Sequence, residues 1–191
     1  MKRLLGMLAV LLVAGCAAFA AVGPGPVTVG NEMTVSLDGK WNRAPSMFAP
    51  AKGEMWTAEG VPVDRLVFFV GLAEGDALMK LRGAGDKKLP PFRAVMNPSE
   101  IAEFYEAYAT ADGSSFALKK LEPAPFAGGE GFRFEFEMLR KSDELAMAGV
   151  GYGAVRGGKL YLIVFTAPRV HFFPKYLPLV EAIARSTRIG T

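Results

Sequence analysis

Glu135 and Glu137 are the residues of this chain whose spacing first suggests chemistry. They stand two apart in Phe132-Arg133-Phe134-Glu135-Phe136-Glu137-Met138, a segment that alternates apolar and polar. On a strand, residues two apart share a face and lie about 7 Å from each other, a separation at which paired carboxylates can act together on a bond. The same alternation describes any half-buried strand with a solvated face, and that reading takes precedence; a carboxylate-dependent hydrolase is the minor alternative. His171 is the single histidine, so one chain offers no multi-histidine metal site, and no metal is expected. A Ser–His pair would want a Gly-x-Ser-x-Gly elbow, which is absent. Gly149-Val150-Gly151-Tyr152-Gly153 with Gly157-Gly158 has the glycine density of a dinucleotide loop. Such a loop opens a helix, whereas a β-rich segment follows here, so a strand approached closely by a neighbour is the better reading. No catalytic residue and no cofactor is assigned, and the chain is not expected to be an enzyme.

The single cysteine, Cys16, carries the remaining chemistry. Met1-Lys2-Arg3 leads an apolar run from Leu4, and small residues precede the cysteine, the layout of a secretory signal peptide over residues 1–15. Val13-Ala14-Gly15-Cys16 resembles the lipobox of bacterial lipoproteins, in which the cysteine is diacylated and becomes the mature N-terminus. Cys16 is therefore the expected lipidation site, and the membrane the expected partner through that lipid. Each buried methylene contributes about 0.8 kcal/mol and stable anchoring takes at least two chains, a condition an acylated lipobox cysteine meets. An uncleaved signal anchor is the alternative, because no charge stands between Leu4 and Asn31 and roughly 20 apolar residues span a bilayer. Against it, apolar character fades after Phe19 into Gly23-Pro24-Gly25-Pro26. Residues 16–26 then read as a lipidated tether and residues 27–191 as a single domain with one core.

Charge excludes one class of partner. There are 22 Lys and Arg against 19 Asp and Glu; Lys2 and Arg3 belong to the signal peptide, leaving 20 basic residues in a near-neutral body. Lys87-Lys88, Lys119-Lys120 and Arg140-Lys141 are isolated pairs, not the clustered footprint that nucleic acid requires.

The elements alternate irregularly. Val27–Leu37 holds one or two short strands, Arg43–Gly60 is mostly loop, and Asp64–Leu72 is a strand covered on both faces. Asn97-Pro98-Ser99-Glu100 opens a helix with an N-cap, a proline at N1 and a glutamate at N3. Ile101, Phe104, Tyr105 and Tyr108 form its stripe. A meander follows: Phe116–Leu121, a turn at Gly128–Gly131, the Phe132–Met138 strand with Arg133, Glu135 and Glu137 facing water, Leu145–Val155, a hairpin at Gly157-Gly158, and Leu160–Ala167. Phe173–Ser186 closes as a helix with Tyr176, Leu177, Val180, Ile183 and Ala184 inward. Strands and helices segregated in this way predict an α+β fold, a mostly antiparallel sheet flanked by helices.

Read in that order, the strand with Trp41, the helix opening Asn97-Pro98-Ser99-Glu100-Ile101-Ala102, and the Gly131-Phe132-Arg133-Phe134-Glu135 strand resemble the Mog1/PsbP-like α/β/α sandwich. Gly157-Gly158-Lys159-Leu160-Tyr161, Phe165-Thr166-Ala167-Pro168 and the closing Ser186-Thr187-Arg188-Ile189 extend the likeness over residues 27–189. The likeness is closer still to a group of uncharacterised bacterial lipoproteins with that body. It implies protein binding or assembly, with a possible envelope protein as partner, and supplies no catalytic residue. In a cell with two membranes, Ala17 after the cysteine resembles the pattern for export to the periplasmic face of the outer membrane.

Met47, Phe48, Met55, Trp56 and Phe92 are large apolar residues in stretches read as loops. They either cover one end of the core or form a surface for a partner or apolar ligand. The leading expectation is a monomeric, membrane-anchored, non-enzymatic binding module of the envelope, and the second an apolar-ligand or lipid carrier. Changing Cys16→Ser should abolish acylation and signal cleavage at this site. Intact-mass measurement of the wild-type protein should show acyl mass on Cys16, and its absence sinks the anchor.

Overall fold

A computed structural model of the protein describes residues 19–79 and 89–190. Cys16 and the expected signal peptide lie outside these residues. In chain order the elements are β1 (Ala20–Val22), β2 (Gly25–Val29), β3 (Met33–Leu37), β4 (Trp41–Arg43), β5 (Gly53–Thr57), β6 (Arg65–Leu72) and α1 (Pro98–Ala109). They continue as β7 (Ser115–Phe126), β8 (Gly129–Arg140), β9 (Leu145–Arg156), β10 (Lys159–Pro168), α2 (Phe172–Ser186) and β11 (Arg188–Ile189). Eight strands form one sheet in the order β1-β4-β5-β6-β10-β9-β8-β7, and β11-β3-β2 form a second, three-stranded one. Each recorded strand pairing is antiparallel. The expected α+β architecture is the one observed.

The continuous apolar run of β6 has its reason in two cores. Leu66, Phe68 and Val70 face one, with Val35 and Leu37 of the small sheet and Val180, Ile183 and Ala184 of α2. Val67, Phe69 and Leu72 face the other, with Ile101, Phe104 and Tyr105 of α1 and the loop residues Leu78 and Phe92. Period-two alternation on a sheet covered on both sides leaves no polar position to see in the sequence.

Helix α1 begins where its caps require. The Glu100 N–H donates to Asn97 Oδ1 at 3.0 Å, and the Asn97 N–H donates back to Glu100 Oε2 at 2.9 Å. This reciprocal box satisfies two backbone donors that the first helical turn leaves free.

The glycines of β9 are filled by phenylalanines of β8. The register sets Phe132 opposite Gly153, Phe134 opposite Gly151 and Phe136 opposite Gly149. A Cβ at Gly149 would fall 2.0 Å from the Phe136 ring, and one at Gly151 2.1 Å from Phe134. The rings therefore lie flat across the β9 backbone, stacked with centroids 6.3 and 5.9 Å apart. Tyr105 of α1 rests on them, 5.9 Å from Phe134 and 5.4 Å from Phe136. The glycine-rich stretch is a packing lane and not a nucleotide loop.

Three expectations change. The tether does not run to residue 26: Ala20–Val22 pairs with Trp41–Arg43, and Val22 is buried. Residues 43–60 are mostly loop but also hold an unexpected strand: β5 is inserted between β4 and β6, its short Gly53–Thr57 span masked by flanking Pro, Ala and Gly. The first meander strand extends through Pro123 and Pro125 to Phe126, which is tolerated because β7 is the sheet edge.

Gly151→Ala should lower stability by about 1–3 kcal/mol through overpacking, seen as a fall in melting temperature of about 3–10 °C. Gly39→Ala, whose Cβ meets nothing within 4 Å, should leave the melt unchanged. Equal effects at the two sites would mean that the rings move aside freely.

Candidate functional site

A helix of 12 residues is about 18 Å long, whereas a strand of 12 residues extends about 40 Å. Helix α1 therefore leaves part of its sheet face uncovered. Beyond its C-terminal end lie Met138 of β8, Met147 of β9, Thr166 of β10 and Arg65 of β6. Register ties this row together: Met138 is opposite Met147, and Thr166 is opposite Arg65.

This row, with Met147 buried, Met138 and Thr166 half-buried and Arg65 exposed, floors a groove. Its inner end is a depression of about 300 Å³ lined by Tyr105, Tyr108, Met138, Met147, Thr166 and Arg65 among others. Its outer end is a depression of about 510 Å³ that adds Met47, Phe48, Met55, Val61 and Met79. The two ends share Arg65, Tyr108, Arg140 and Ser142, so they are continuous. Five of the nine methionines of the chain line it. A larger depression of about 1010 Å³ lies beside the β7–β8 turn, but its walls are mostly Pro, Ala and Gly with Arg185 and Arg188, and present little side chain to grip a ligand.

The groove has few polar groups. The Arg140 guanidinium is bound by both oxygens of Asp143, at 2.8 and 2.6 Å, and donates to the Pro62 carbonyl at 2.6 Å. Arg65 donates Nε–H to the Val61 carbonyl at 3.0 Å, and no carboxylate among the described residues pairs with it. Burial pushes the Tyr105 phenol above its usual range, with the nearby Tyr108 adding to this and a hydrogen bond to Thr166 opposing it. Burial also raises Tyr108, although the Arg65 charge counters it. Both phenols stay protonated.

Five residues were expected to share a surface, and the pleat of β5 divides them. Met47 and Phe48 are 52% and 41% exposed and form the groove's rim. Met55 is 3% exposed and lies beneath them. Trp56, the next residue, points through the sheet to the other core, fully buried with its ring 4.4 Å from Phe68. Phe92 is also fully buried, 6.2 Å from Phe104 under α1. Trp56 and Phe92 therefore offer no surface to a partner. Arg65, Tyr108, Met79, Met138 and Met147 were not singled out in the sequence. The five methionines lie far apart along the chain, and only their share of all large apolar residues hints at a common role.

The carboxylate pair is not arranged for catalysis. Glu137 accepts from Lys119 at 3.1 Å and Arg169 at 3.2 Å, and these bonds hold its carboxyl below the usual range. Glu135 is 2.5 Å from Arg133. Arg133 itself does not face water as expected, since its side chain is only 14% exposed. It lies beside α2, with Glu181 at 3.8 Å, Glu122 at 3.3 Å and the Tyr152 hydroxyl accepting from Nε at 2.9 Å. Burial works against its charge, but the Tyr152 and Glu135 bonds outweigh that. A general acid needs a raised carboxyl pKa, the opposite of what Glu137 has. His171 caps no helix N–H with its side chain and its ring lies edge-on to Phe172. Among the described residues there is no group of three potential metal ligands, and no helix long and apolar enough to cross a membrane.

This arrangement, a mostly antiparallel sheet between helical layers, is the Mog1/PsbP-like fold. Solved structures that share it include two from bacteria. Cyanobacterial PsbP (CyanoP) from Synechocystis sp. superposes with a TM-score of 0.59 at 12% identity, over 96% of this chain and 99% of that one. LpqN, a protein involved in cell envelope biogenesis of Mycobacterium tuberculosis, gives 0.51 at 10% identity, over 91% and 92%. No protein-family model matches the chain, and no curated protein matches it in sequence.

Trp56→Ala should cost about 3–5 kcal/mol, as expected for a fully buried aromatic. Met47→Ala and Phe48→Ala should each stay within about 0.5 kcal/mol of wild type. Urea unfolding of the three variants measures the contrast, and a similar loss at all three would place the rim inside the core.

Proposed function

We propose that this protein is a non-enzymatic binding module of the bacterial envelope, held at the membrane by lipid on Cys16, that seats a protein partner in the methionine-lined groove beyond α1. The observation that carries the reading is the composition of that groove. Methionine side chains are flexible and polarizable, and surfaces built from them adapt to varied apolar shapes. Met47 and Phe48 stand exposed at the rim, where partner contact would bury them. The carboxylates of β8 are neutralised by basic neighbours, which supports a binding role over hydrolysis. The likeness to a protein involved in cell envelope biogenesis and to a cyanobacterial PsbP supports the reading at the level of fold.

The anchor would hold the domain close. Cys16 precedes β1 by four residues, which reach at most about 14 Å. The β1 edge of the sheet would then lie near the lipid headgroups, on the periplasmic face of the outer membrane if the cell has two membranes. The domain would act as a monomer. A second reading, an apolar-ligand or lipid carrier, draws on the inner depression of about 300 Å³, near the lower size limit for small-molecule sites.

A photo-crosslinking residue placed at Phe48 in the lipidated protein, within its own envelope, should give a discrete protein adduct. The same residue at Lys119, on the edge strand away from the groove, should not. Adducts only with lipid would favour the carrier, and identical adducts from both positions would remove the groove as the binding site. The double change Glu135→Gln and Glu137→Gln should leave adduct yield and phenotype near wild type.

A further inference from the structure

We propose that the segment seated in this groove presents a carboxylate beside a large apolar side chain, and that Arg65 receives the carboxylate; this rests on the groove being a protein-binding site. Arg65 opens β6 and stands opposite Thr166. Its Nε–H donates to the Val61 carbonyl at 3.0 Å, which restrains the guanidinium, and the residue lines both depressions of the groove. Arg43, Arg93, Arg133, Arg169 and Arg185 each lie in an ion pair with a glutamate, while Arg156 and Arg188, outside the groove, donate to backbone carbonyls. Arg140, on the same groove, is neutralised by two-oxygen contact with Asp143. Arg65 is thus the groove's one cation without a carboxylate partner among the described residues.

That asymmetry selects the occupant. In the free protein Arg65 is exposed and hydrated. A wholly apolar segment lying over Met47, Phe48 and Met79 would strip that water and bury an unpaired charge, a cost that offsets much of the apolar gain. A basic segment would add repulsion. A segment with a carboxylate at this point would exchange water for a forked, charge-assisted pair with a planar guanidinium. Tyr108 lines both depressions beside Arg65. Asp112 also lines the inner end, but its Oδ1 accepts the Ser114 N–H at 2.9 Å. The carboxylate is therefore placed at the junction of the two depressions, with the apolar side chain over the methionines.

The test is selection of random dodecapeptides displayed on phage against the lipidated full chain in detergent, followed by binding measurements on synthetic copies. Retained peptides should carry Asp or Glu next to a large apolar residue. Replacing that acid by its amide should weaken binding to wild type about tenfold to a hundredfold, the range of a hydrogen bond to a charged group. On Arg65→Gln, acid and amide peptides should bind equally weakly; on Arg65→Lys the difference should be intermediate. A thermal melt checks the fold of Arg65→Gln, and the acid-to-amide comparison on wild type decides the matter even if that variant unfolds. If acid and amide bind wild type alike while Phe48→Ala abolishes binding, the groove stands as the binding site and the carboxylate inference falls. If no peptide is retained, or none depends on Phe48, both readings fall. Binding of fluorescent lauric acid that depends on Arg65, with no peptide retained, overturns the proposal in favour of a carrier.

Discussion

Three phenylalanine rings lying on three glycines hold the centre of this protein together. Phe132, Phe134 and Phe136 cross the β9 backbone at Gly153, Gly151 and Gly149, where any larger residue would occupy the space of a ring. The rings form a flat apolar floor in mid-sheet, and Tyr105 anchors α1 to it. Helix α1 thus has its place along the strands chosen for it. Because a helix rises less than half as far per residue as a strand, the end of the sheet past α1 stays open. The groove is the part of the sheet face that this anchored helix is too short to reach.

The opposite face is closed by different means. Helix α2 and the small sheet bury the Trp41, Trp56, Phe68 and Phe165 surface, and Tyr176 of α2 lies 5.9 Å from the Trp41 ring. At its margin Arg133 gathers Glu122, Glu135 and Glu181, with Tyr152 beneath. This cluster joins β7, β8, β9 and α2 through one guanidinium. Such a group contributes to stability only while its partners remain, since removing them leaves a charge with little access to water. Of the two residues that looked most like a catalytic pair, Glu135 belongs to this cluster and Glu137 is paired with Lys119 and Arg169, so chemical interest moves to the open face.

On that open face the site emerges from distant segments. Met47 and Phe48 come from the connection between β4 and β5, Met79 from the stretch after β6, Tyr108 from α1, and Met138 and Met147 from β8 and β9. Their convergence needs the complete sheet order, in which β10 lies between β6 and β9. In the sequence Arg65 is only a charged residue before an apolar run. It becomes distinctive once Arg140 is found neutralised beside it and Arg65 is not.

The sequence by itself determined what depends on neighbours along the chain. The capped start of α1, the Gly157-Gly158 turn with both residues at positive φ, the alternation of β8 and the two-sided burial of β6 follow from local patterns that physics reads at short range. The expected signal peptide and lipobox are readings of the same local kind. What only the tertiary structure decided depends on partners far away. The pleat of β5 sent Met55 and Trp56 to opposite cores although they are adjacent. The pairing of Ala20–Val22 with β4 drew the expected tether into the sheet. The β8–β9 register turned a glycine-rich stretch into a seat for rings. The face a side chain shows is set by local period, but what covers that face is set by which elements arrive there and how far they extend, and no pattern within one segment contains that length.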